Sequence, residues 1–412
     1  MIRGVPHSGG SQRAFWLLVL PMLCWLTADA VVCARSRSVR DASASGENFR
    51  WTKPDWAPTP LVPKDNPMTD AKVRLGRFLF YDKKLSIDQT MSCASCHQQS
   101  RAFTDGQRSH LGVNGLPGNR NAMTLTNVAF SPSYTWANPL ITSLEKQMLV
   151  PLFSDFPLEM GMAGHETELF SRLSQDASYP KLFAEAFPED SGRIDLRNVT
   201  RAIAAFERTL LSFDSPYDRF KHGQPDAISA SAKRGEALFF GETLECYHCH
   251  DGVNFTDNDA EQGQAFEERG FHNTGLYNED GNGSYKAWDH GLREVTANPE
   301  DEGAFRTPTL RNVAVTAPYM HDGSLPTLEA VIREHYAIKG HSSFSGKGPN
   351  PLRSEFIEGF SISDREVRDL VEFLRSLTDQ SFLTNPAFSD PNSRVSQKLA
   401  RRSRFVTRQV SE

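Results

Sequence analysis

Apolar residues recur along much of the chain at the spacing of a helix. Within residues 68–80 they fall at Val73, Leu75, Phe78 and Leu79, which places them on one helical face. Three later stretches show comparable spacing: residues 144–149, 166–175 and 195–211. Asp195 is expected to cap the last of these, and Ser363-Asp364-Arg365-Glu366 forms a capping box before a final helix. The pattern predicts a mainly α fold.

Four blocks of sequence occur twice, in the same order. The pairs are Leu75–Phe80 and Arg234–Phe240, Phe103–Asp105 and Phe255–Asp257, Thr124–Ala129 and Thr309–Ala314, and Phe206–Leu210 and Phe373–Leu377. A repeat of this length indicates duplicated domains rather than a solenoid. We therefore predict two tandem helical domains related by internal duplication, residues 67–225 and 226–382.

The two ends of the chain have different compositions. Residues 1–30 read as a Sec-type signal peptide, since Arg3 and Arg13 precede an apolar run that ends before Ala28-Asp29-Ala30. A retained membrane anchor is the alternative, but the run is short for a bilayer, and no later run is long enough to give the mature chain a stable span. Residues 31–66 form an extended lead and 383–412 a polar, basic tail. We predict export to the periplasm of a Gram-negative bacterium.

Composition adds two limits. The length of 412 residues suits about two domains, and 39 % hydrophobic residues with 27 Phe can build real cores. The net charge of −6 gives no reason to expect nucleic acid as a partner. Of six cysteines, Cys24 falls in the signal peptide and Cys33 just after it, and the other four form one repeated motif.

That motif is Cys93-Ala94-Ser95-Cys96-His97, which recurs as Cys246-Tyr247-His248-Cys249-His250. C-x-x-C-H is the attachment signature of c-type haem: the two thiols bond the porphyrin, and the following His binds the iron. A single copy could mark a disulfide or half of a zinc site. Two copies inside a longer repeat predict two covalently bound haem c groups, with His97 and His250 as the proximal iron ligands.

The face of each haem opposite that His decides its chemistry. A haem that reacts with peroxide keeps an open coordination position, and cleavage of the O–O bond needs a group that accepts and returns a proton. Glu159, in an apolar setting, and Gln147 fit these needs in the first half, although Glu159 by composition alone is more often a surface carboxylate. In the second half His335 and Tyr336, expected on a helix, and Met320 are the candidate distal ligands.

Several blocks resemble the di-haem cytochrome c peroxidase and MauG superfamily. They are Leu75–Asp82, both haem motifs, Arg120-Asn121, Leu158–Met160 and Thr307–Gly323. The resemblance implies a peroxidatic N-terminal haem and an electron-relaying C-terminal haem. It implies Glu159 and Gln147 as the distal acid/base pair, Pro151 as a distal-pocket residue and Trp136 as the bridge between haems. It also implies a calcium ion near the domain interface, held by Asn121 and backbone oxygens of Thr316 and Pro318.

The chain departs from typical di-haem peroxidases at two places. Where those proteins carry a removable distal His, this chain has Val113, and the nearby His110 is out of register. Where they bind the second haem with Met, it has His335 followed by Tyr336. MauG differs at both places too and uses Tyr for the second haem. We expect the first haem to be open without reductive activation and the second to be bound by His or Tyr.

A finer resemblance is to MbnH-type di-haem enzymes, through Asp65–Thr69, Ser95–Gln99, Thr135–Pro139 and Phe271–Tyr277. It implies a periplasmic oxidoreductase that uses hydrogen peroxide to reach a high-valent di-haem state. That state would convert a tryptophan of an exported, MbnP-like copper-binding partner to kynurenine. The alternatives are a cytochrome c peroxidase that reduces hydrogen peroxide with electrons from a small cytochrome c, and an electron carrier without catalysis.

Overall fold

The computed structural model describes residues 49–262, 269–340 and 347–393. The predicted signal peptide, the first part of the lead and the end of the basic tail lie outside the described residues. None of the helices in the described part of the chain is long and apolar enough to cross a bilayer.

Helices and short 3-10 turns dominate these residues. The helices are α1 Asp70–Tyr81, α2 Cys93–Cys96, α3 Leu144–Gln147, α4 Leu149–Phe153, α5 Glu166–Gln175, α6 Tyr179–Ala186, α7 Leu196–Glu207, α8 Pro216–Lys221, α9 Ala230–Phe239, α10 Arg293–Thr296, α11 Leu328–Arg333, α12 Asp364–Ser376 and α13 Gln380–Thr384. Two strands, β1 Phe271–Asn273 and β2 Ala304–Arg306, pair antiparallel with Phe271 opposite Arg306. The prediction of a mainly α fold is confirmed.

The helices predicted from apolar spacing are present, with adjusted ends. Asp195 caps α7 by accepting from the Asn198 N–H, and the capping box of Ser363 and Glu366 opens α12. The stretch at 144–149 divides into α3 and α4. Pro151 has no N–H to donate to the Gln147 carbonyl, so a continuous helix would lose that hydrogen bond.

Two helix pairs hold the described residues together: α1 packs against α7, and α9 packs against α12. Each pair meets at a glycine from a repeated block. A Cβ on Gly76 would lie 1.8 Å from the Ala202 carbonyl oxygen, and one on Gly235 would lie 2.0 Å from that of Asp369. The absence of a side chain lets the backbones approach, so the glycine has the same packing function in both copies of the block.

Each helix pair builds an aromatic core from equivalent positions of the repeat. Phe80 and Phe206 meet edge to face with their ring centroids 5.3 Å apart, and Phe239 and Phe373 pack at 5.1 Å. The first core also includes Phe382, Leu383 and Phe388. The packed body therefore continues to Phe388, beyond residue 383, where the polar tail was predicted to begin.

Candidate functional site

The two C-x-x-C-H motifs present their histidines in the same way. His97 Nδ1 lies 2.8 Å from the Phe103 carbonyl oxygen, and His250 Nδ1 lies 2.9 Å from that of Phe255. Because a carbonyl oxygen can only accept, each Nδ1 carries the proton and Nε2 is left with a lone pair for a metal. Burial lowers the pKa of both histidines, which favours the neutral imidazole that binds iron.

The backbone that supplies those carbonyls is also shared. Phe103 has φ of 62° and Phe255 has φ of 52°, both in the left-handed region that L-residues rarely adopt. This turn directs the carbonyl back onto the imidazole. The same strained conformation occurs at both copies of Phe-Thr-Asp, so the two histidines are held by the same local structure. The residues present therefore fit a c-type haem at each motif.

A cavity lies beside each motif. The cavity at His97 has a volume of about 570 Å³ and the cavity at His250 about 490 Å³, both within the usual range for cofactor sites. The first cavity is lined by Cys93, Cys96 and His97, and the second by Cys246, Cys249 and His250.

The residues expected on the far side of the first haem lie together. Gln147, Pro151, Glu159 and Trp136 all line the His97 cavity, although they come from separate parts of residues 136–159. α3 carries Gln147, α4 carries Pro151, and Glu159 follows in a loop. The Gln147 amide and the Glu159 carboxylate therefore share the wall of this cavity with the proximal His and with apolar side chains.

The structure adds His110 to this cavity, a residue that the sequence comparison set aside as out of register. A tight loop, bridged between Leu111 and Pro117, packs against the Glu159 segment through the Val113 N–H, which donates to the Glu159 carbonyl at 2.8 Å. His110 Nε2 lies 3.4 Å from Glu159 Oε1, close enough for ionic attraction but not aligned as a hydrogen bond. No local pattern signals this approach, because it depends on two loops packing together.

The electrostatics of His110 follow from that contact. Burial by itself would lower the pKa of the imidazole, but the carboxylates of Glu159 and Asp105 together outweigh this effect and raise the pKa of His110 above its usual value. The contact therefore favours the protonated imidazole beside the carboxylate expected to handle protons.

Glu207 is a second acidic group on the wall of the first cavity. It lies at the end of α7, is buried, and its Oε2 has no hydrogen-bond partner among the described residues. Burial raises the pKa of Glu207 to about 8. Glu207 stands inside the repeated block of Phe206 to Leu210, which indicates duplication, and no local pattern marks it as a residue of the cavity wall.

Only two of the three candidate distal ligands line the second cavity. Tyr336 and Met320 lie on its wall, whereas His335 is not among the residues that line it. His335 is fully buried with neither ring nitrogen hydrogen-bonded to a described residue, and burial lowers its pKa to about 3. The expectation that both residues lie on a helix is wrong: α11 ends at Arg333, and Tyr336 begins a 3-10 turn.

Trp136 lines both cavities. Its indole N–H donates to the Asn121 carbonyl oxygen at 2.8 Å, and its own carbonyl oxygen accepts from the Arg306 N–H at 2.8 Å. Asn121 is tied in turn to the second half, since its N–H donates to the His321 carbonyl oxygen at 2.7 Å. Trp136 is therefore fixed between the two cavities by one hydrogen bond from its indole ring and one to its backbone.

The residues expected to bind calcium border the second cavity. Asn121, Thr316 and Pro318 all lie on its wall. The Asn121 amide nitrogen donates to the Gln107 carbonyl oxygen at 2.6 Å, which identifies the other amide atom as an oxygen acceptor. A neutral set of amide and carbonyl oxygens has the chemistry that a hard cation requires.

Comparisons with known proteins agree with this arrangement. The family model for di-haem cytochrome c peroxidase matches residues 70–226. The methylamine utilization protein MauG of Methylorubrum extorquens is 36 % identical over 350 residues, which cover 84 % of this chain and 88 % of that protein. The cytochrome c551 peroxidase of Pseudomonas aeruginosa is 29 % identical over 315 residues, covering 76 % and 81 %.

A solved structure extends the comparison to three dimensions. The crystal structure of a MauG-like protein associated with microbial copper homeostasis superposes with a TM-score of 0.80 and 45 % identity. The match covers 83 % of this chain and 99 % of that one.

Proposed function

Because the chain belongs to the family of di-haem cytochrome c peroxidases and MauG proteins, we propose that it uses hydrogen peroxide to oxidise a tryptophan of a partner protein. Family membership makes it an oxidoreductase of the peroxidase type and implies two haem c cofactors. The tryptophan product, the partner and the roles of individual residues belong to the proposal.

The observation that carries the proposal is Tyr336 on the wall of the second cavity. A thioether ligand raises the reduction potential of a haem and so suits a relay of electrons to peroxide. A phenol oxygen instead favours the oxidised iron, which suits a centre that holds oxidising equivalents and withdraws electrons from a protein. Met320 lies on the same wall and supports the second candidate, a peroxidase that takes electrons from a small cytochrome c.

In the first cavity the bound haem supplies an iron that exchanges electrons with peroxide. Glu159 is placed to accept the proton of the near peroxide oxygen and to return it to the leaving oxygen, so that water departs. The Gln147 amide can hold the oxidant by a hydrogen bond. Reduction of each peroxide to two waters consumes two protons and two electrons, which in this proposal come from the partner tryptophan. Oxidation of that tryptophan to N-formylkynurenine takes two oxygen atoms from water and releases four electrons and four protons, so it consumes two peroxides. Hydrolysis then releases formate and leaves kynurenine.

The electrons reach the haems without the partner entering either cavity. Trp136 borders both cavities and is held by the hydrogen bonds to Asn121 and Arg306. An indole in this position can carry electrons from the second haem to the first. The protein substrate then needs only to contact the outer surface of the enzyme. A tryptophan on a partner too large to enter either cavity can therefore still be oxidised.

The similarity to the MauG-like protein associated with copper homeostasis supports an exported, copper-binding partner of the MbnP kind. We propose the periplasm as the compartment, because attachment of c-type haem and the predicted signal peptide both point to export. We also propose calcium at Asn121, Thr316 and Pro318, on the chemistry of their oxygens.

The test uses the purified holoprotein with hydrogen peroxide and a purified, exported copper-binding protein of the MbnP kind. Mass spectrometry should show a peroxide-dependent change at one tryptophan of that protein, and the Glu159→Gln variant should abolish it. A parallel assay supplies reduced small cytochrome c instead. Rapid oxidation of that cytochrome, together with an unmodified partner, would establish the peroxidase and reject the tryptophan oxidase.

A further inference from the structure

Arg306 is a buried cation between the two cavities. It ends β2, exposes 8 % of its surface and lines both cavities. Nη1 donates to the Ser133 carbonyl oxygen at 2.9 Å and to Ser131 Oγ at 3.2 Å, and Nη2 contacts Met123 Sδ at 3.4 Å. All three acceptors are neutral, and Nε has no hydrogen-bond partner in the described residues.

Each of the other buried arginines of the described chain forms an ion pair with a carboxylate, and Arg306 does not. Arg311 is paired with Asp218 at 2.9 Å, Arg208 with Glu145 at 2.9 Å, and Arg201 with Asp65 at 3.5 Å. No carboxylate of a described residue forms an ion pair with Arg306. A buried charge without a counter-ion is costly, and here burial lowers the pKa of Arg306 to about 10.

Because Arg306 borders both cavities, a group that occupies either cavity can supply the counter-ion that the described residues do not provide. The haem attached at either motif carries two propionates, its only carboxylates, and Arg306 borders both cavities. A guanidinium presents paired N–H donors in a plane that matches a carboxylate. We propose that Arg306 binds a haem propionate and acts as its counter-ion.

The position of Arg306 is fixed by the fold. Its backbone is held in the β1–β2 pair opposite Phe271, and its N–H donates to the Trp136 carbonyl oxygen. The residue that neutralises the propionate is thus hydrogen-bonded to the backbone of Trp136, whose indole lines both cavities. The positive charge also favours the reduced iron of the neighbouring haem, so Arg306 raises that haem's midpoint potential. This inference concerns the cofactor and holds whichever substrate the enzyme oxidises.

The test compares purified holoproteins carrying Arg306→Met and Arg306→Lys by spectroelectrochemistry, with haem content measured by absorbance. Arg306→Met should lower the midpoint potential of one haem, whereas Arg306→Lys, which keeps the positive charge, should leave that potential close to the wild-type value. The haem whose potential shifts identifies the cavity that supplies the propionate. Arg375→Met, which removes an exposed arginine paired with Glu372, should change neither potential.

Unchanged potentials in a folded, fully loaded Arg306→Met protein would overturn the proposal. If that variant loses haem or fails to fold, Arg306→Lys and Arg306→Gln decide the question. Restoration of haem content by Lys but not by Gln shows that the charge is required. Equal restoration by Gln shows that only the neutral hydrogen bonds to Ser131, Ser133 and Met123 matter, and the proposal fails.

Discussion

The imidazole of His110 lies 3.4 Å from the carboxylate of Glu159, and both side chains line the cavity of the first haem motif. In typical di-haem peroxidases a removable distal His is expected at the position of Val113, not at that of His110. The loop that carries His110 nevertheless folds back onto the Glu159 segment. This contact gives the first cavity a paired proton donor and acceptor.

Replacing Glu159 with Gln should slow the reaction of the ferric protein with peroxide by about 10²- to 10⁴-fold, because the proton acceptor is lost. His110→Gln should slow it less, since it removes only the charge beside that acceptor. The raised pKa of His110 means that its charge persists to higher pH than that of an ordinary histidine. The difference between His110→Gln and wild type should therefore shrink as the pH rises through the His110 pKa. Stopped-flow absorbance over a pH series measures both effects.

The control is His165→Gln, which changes a half-exposed histidine paired with Glu168 outside the cavity. It should leave the rate unaltered at every pH. A different result would reassign His110: if His110→Gln converts the resting first haem from low spin to high spin, His110 binds the iron instead of assisting Glu159.

Replacing Trp136 with Phe should weaken communication between the haems. The change keeps an aromatic ring but removes the N–H that donates to the Asn121 carbonyl oxygen at 2.8 Å. Leaving a buried acceptor unpaired costs about 1–3 kcal/mol of stability, so the melting temperature should also fall. Absorbance of the second haem after peroxide addition reports the communication.

Trp288→Phe is the matched control, since Trp288 lines the first cavity but is not among the residues lining the second. An unchanged response of the second haem in Trp136→Phe would exclude the bridge.

Replacing Tyr336 with Phe should convert the second haem from low spin to high spin, because the phenol oxygen proposed to bind the iron is removed. Electron paramagnetic resonance of the ferric protein measures this change. Tyr319→Phe removes a hydroxyl from the same wall that donates to the Val313 carbonyl oxygen, and it should leave the spin state intact. His335→Gln and Met320→Leu test the other two candidates. Conversion by either of these, with Tyr336→Phe unchanged, would transfer the ligand role to that residue.

Replacing Glu207 with Gln should reduce the pH dependence of stability. Burial raises the pKa of Glu207 to about 8 from an ordinary value of 4.5. Between those values the folded state keeps a proton that the unfolded state releases, so the native protein loses stability as the pH rises through this window. The variant is neutral throughout, so its melting temperature should fall less than that of wild type between pH about 5 and about 9. Circular dichroism melts of both proteins, with exposed Glu355→Gln as control, check this. Parallel curves for wild type and Glu207→Gln would mean that Glu207 is ionised in the native state.

Patterns that are local in sequence determined a large part of this protein. The haem motifs, the helices α1, α5, α7 and α12, and the repeated blocks could all be predicted. Each depends on residues only a few positions apart: a thiol spacing, a cap, or an apolar stripe with a period of 3.6 residues. Glu159 and Gln147 were predicted from the chemistry that O–O cleavage requires, and Pro151 and Trp136 through the resemblance. The fold brings all four to one cavity.

Which side chains face one another depends on how distant segments pack, and this was visible only in the folded protein. His110 meets Glu159 because two loops pack together, and Arg306 is recognised as unpaired only after every neighbouring group is located. Tyr336 and His335 are adjacent in sequence, yet α11 ends at Arg333 and the turn that follows directs just one of them to the cavity. The direction of a side chain beyond a helix end depends on backbone angles that distant contacts fix, and no periodicity in the sequence encodes them.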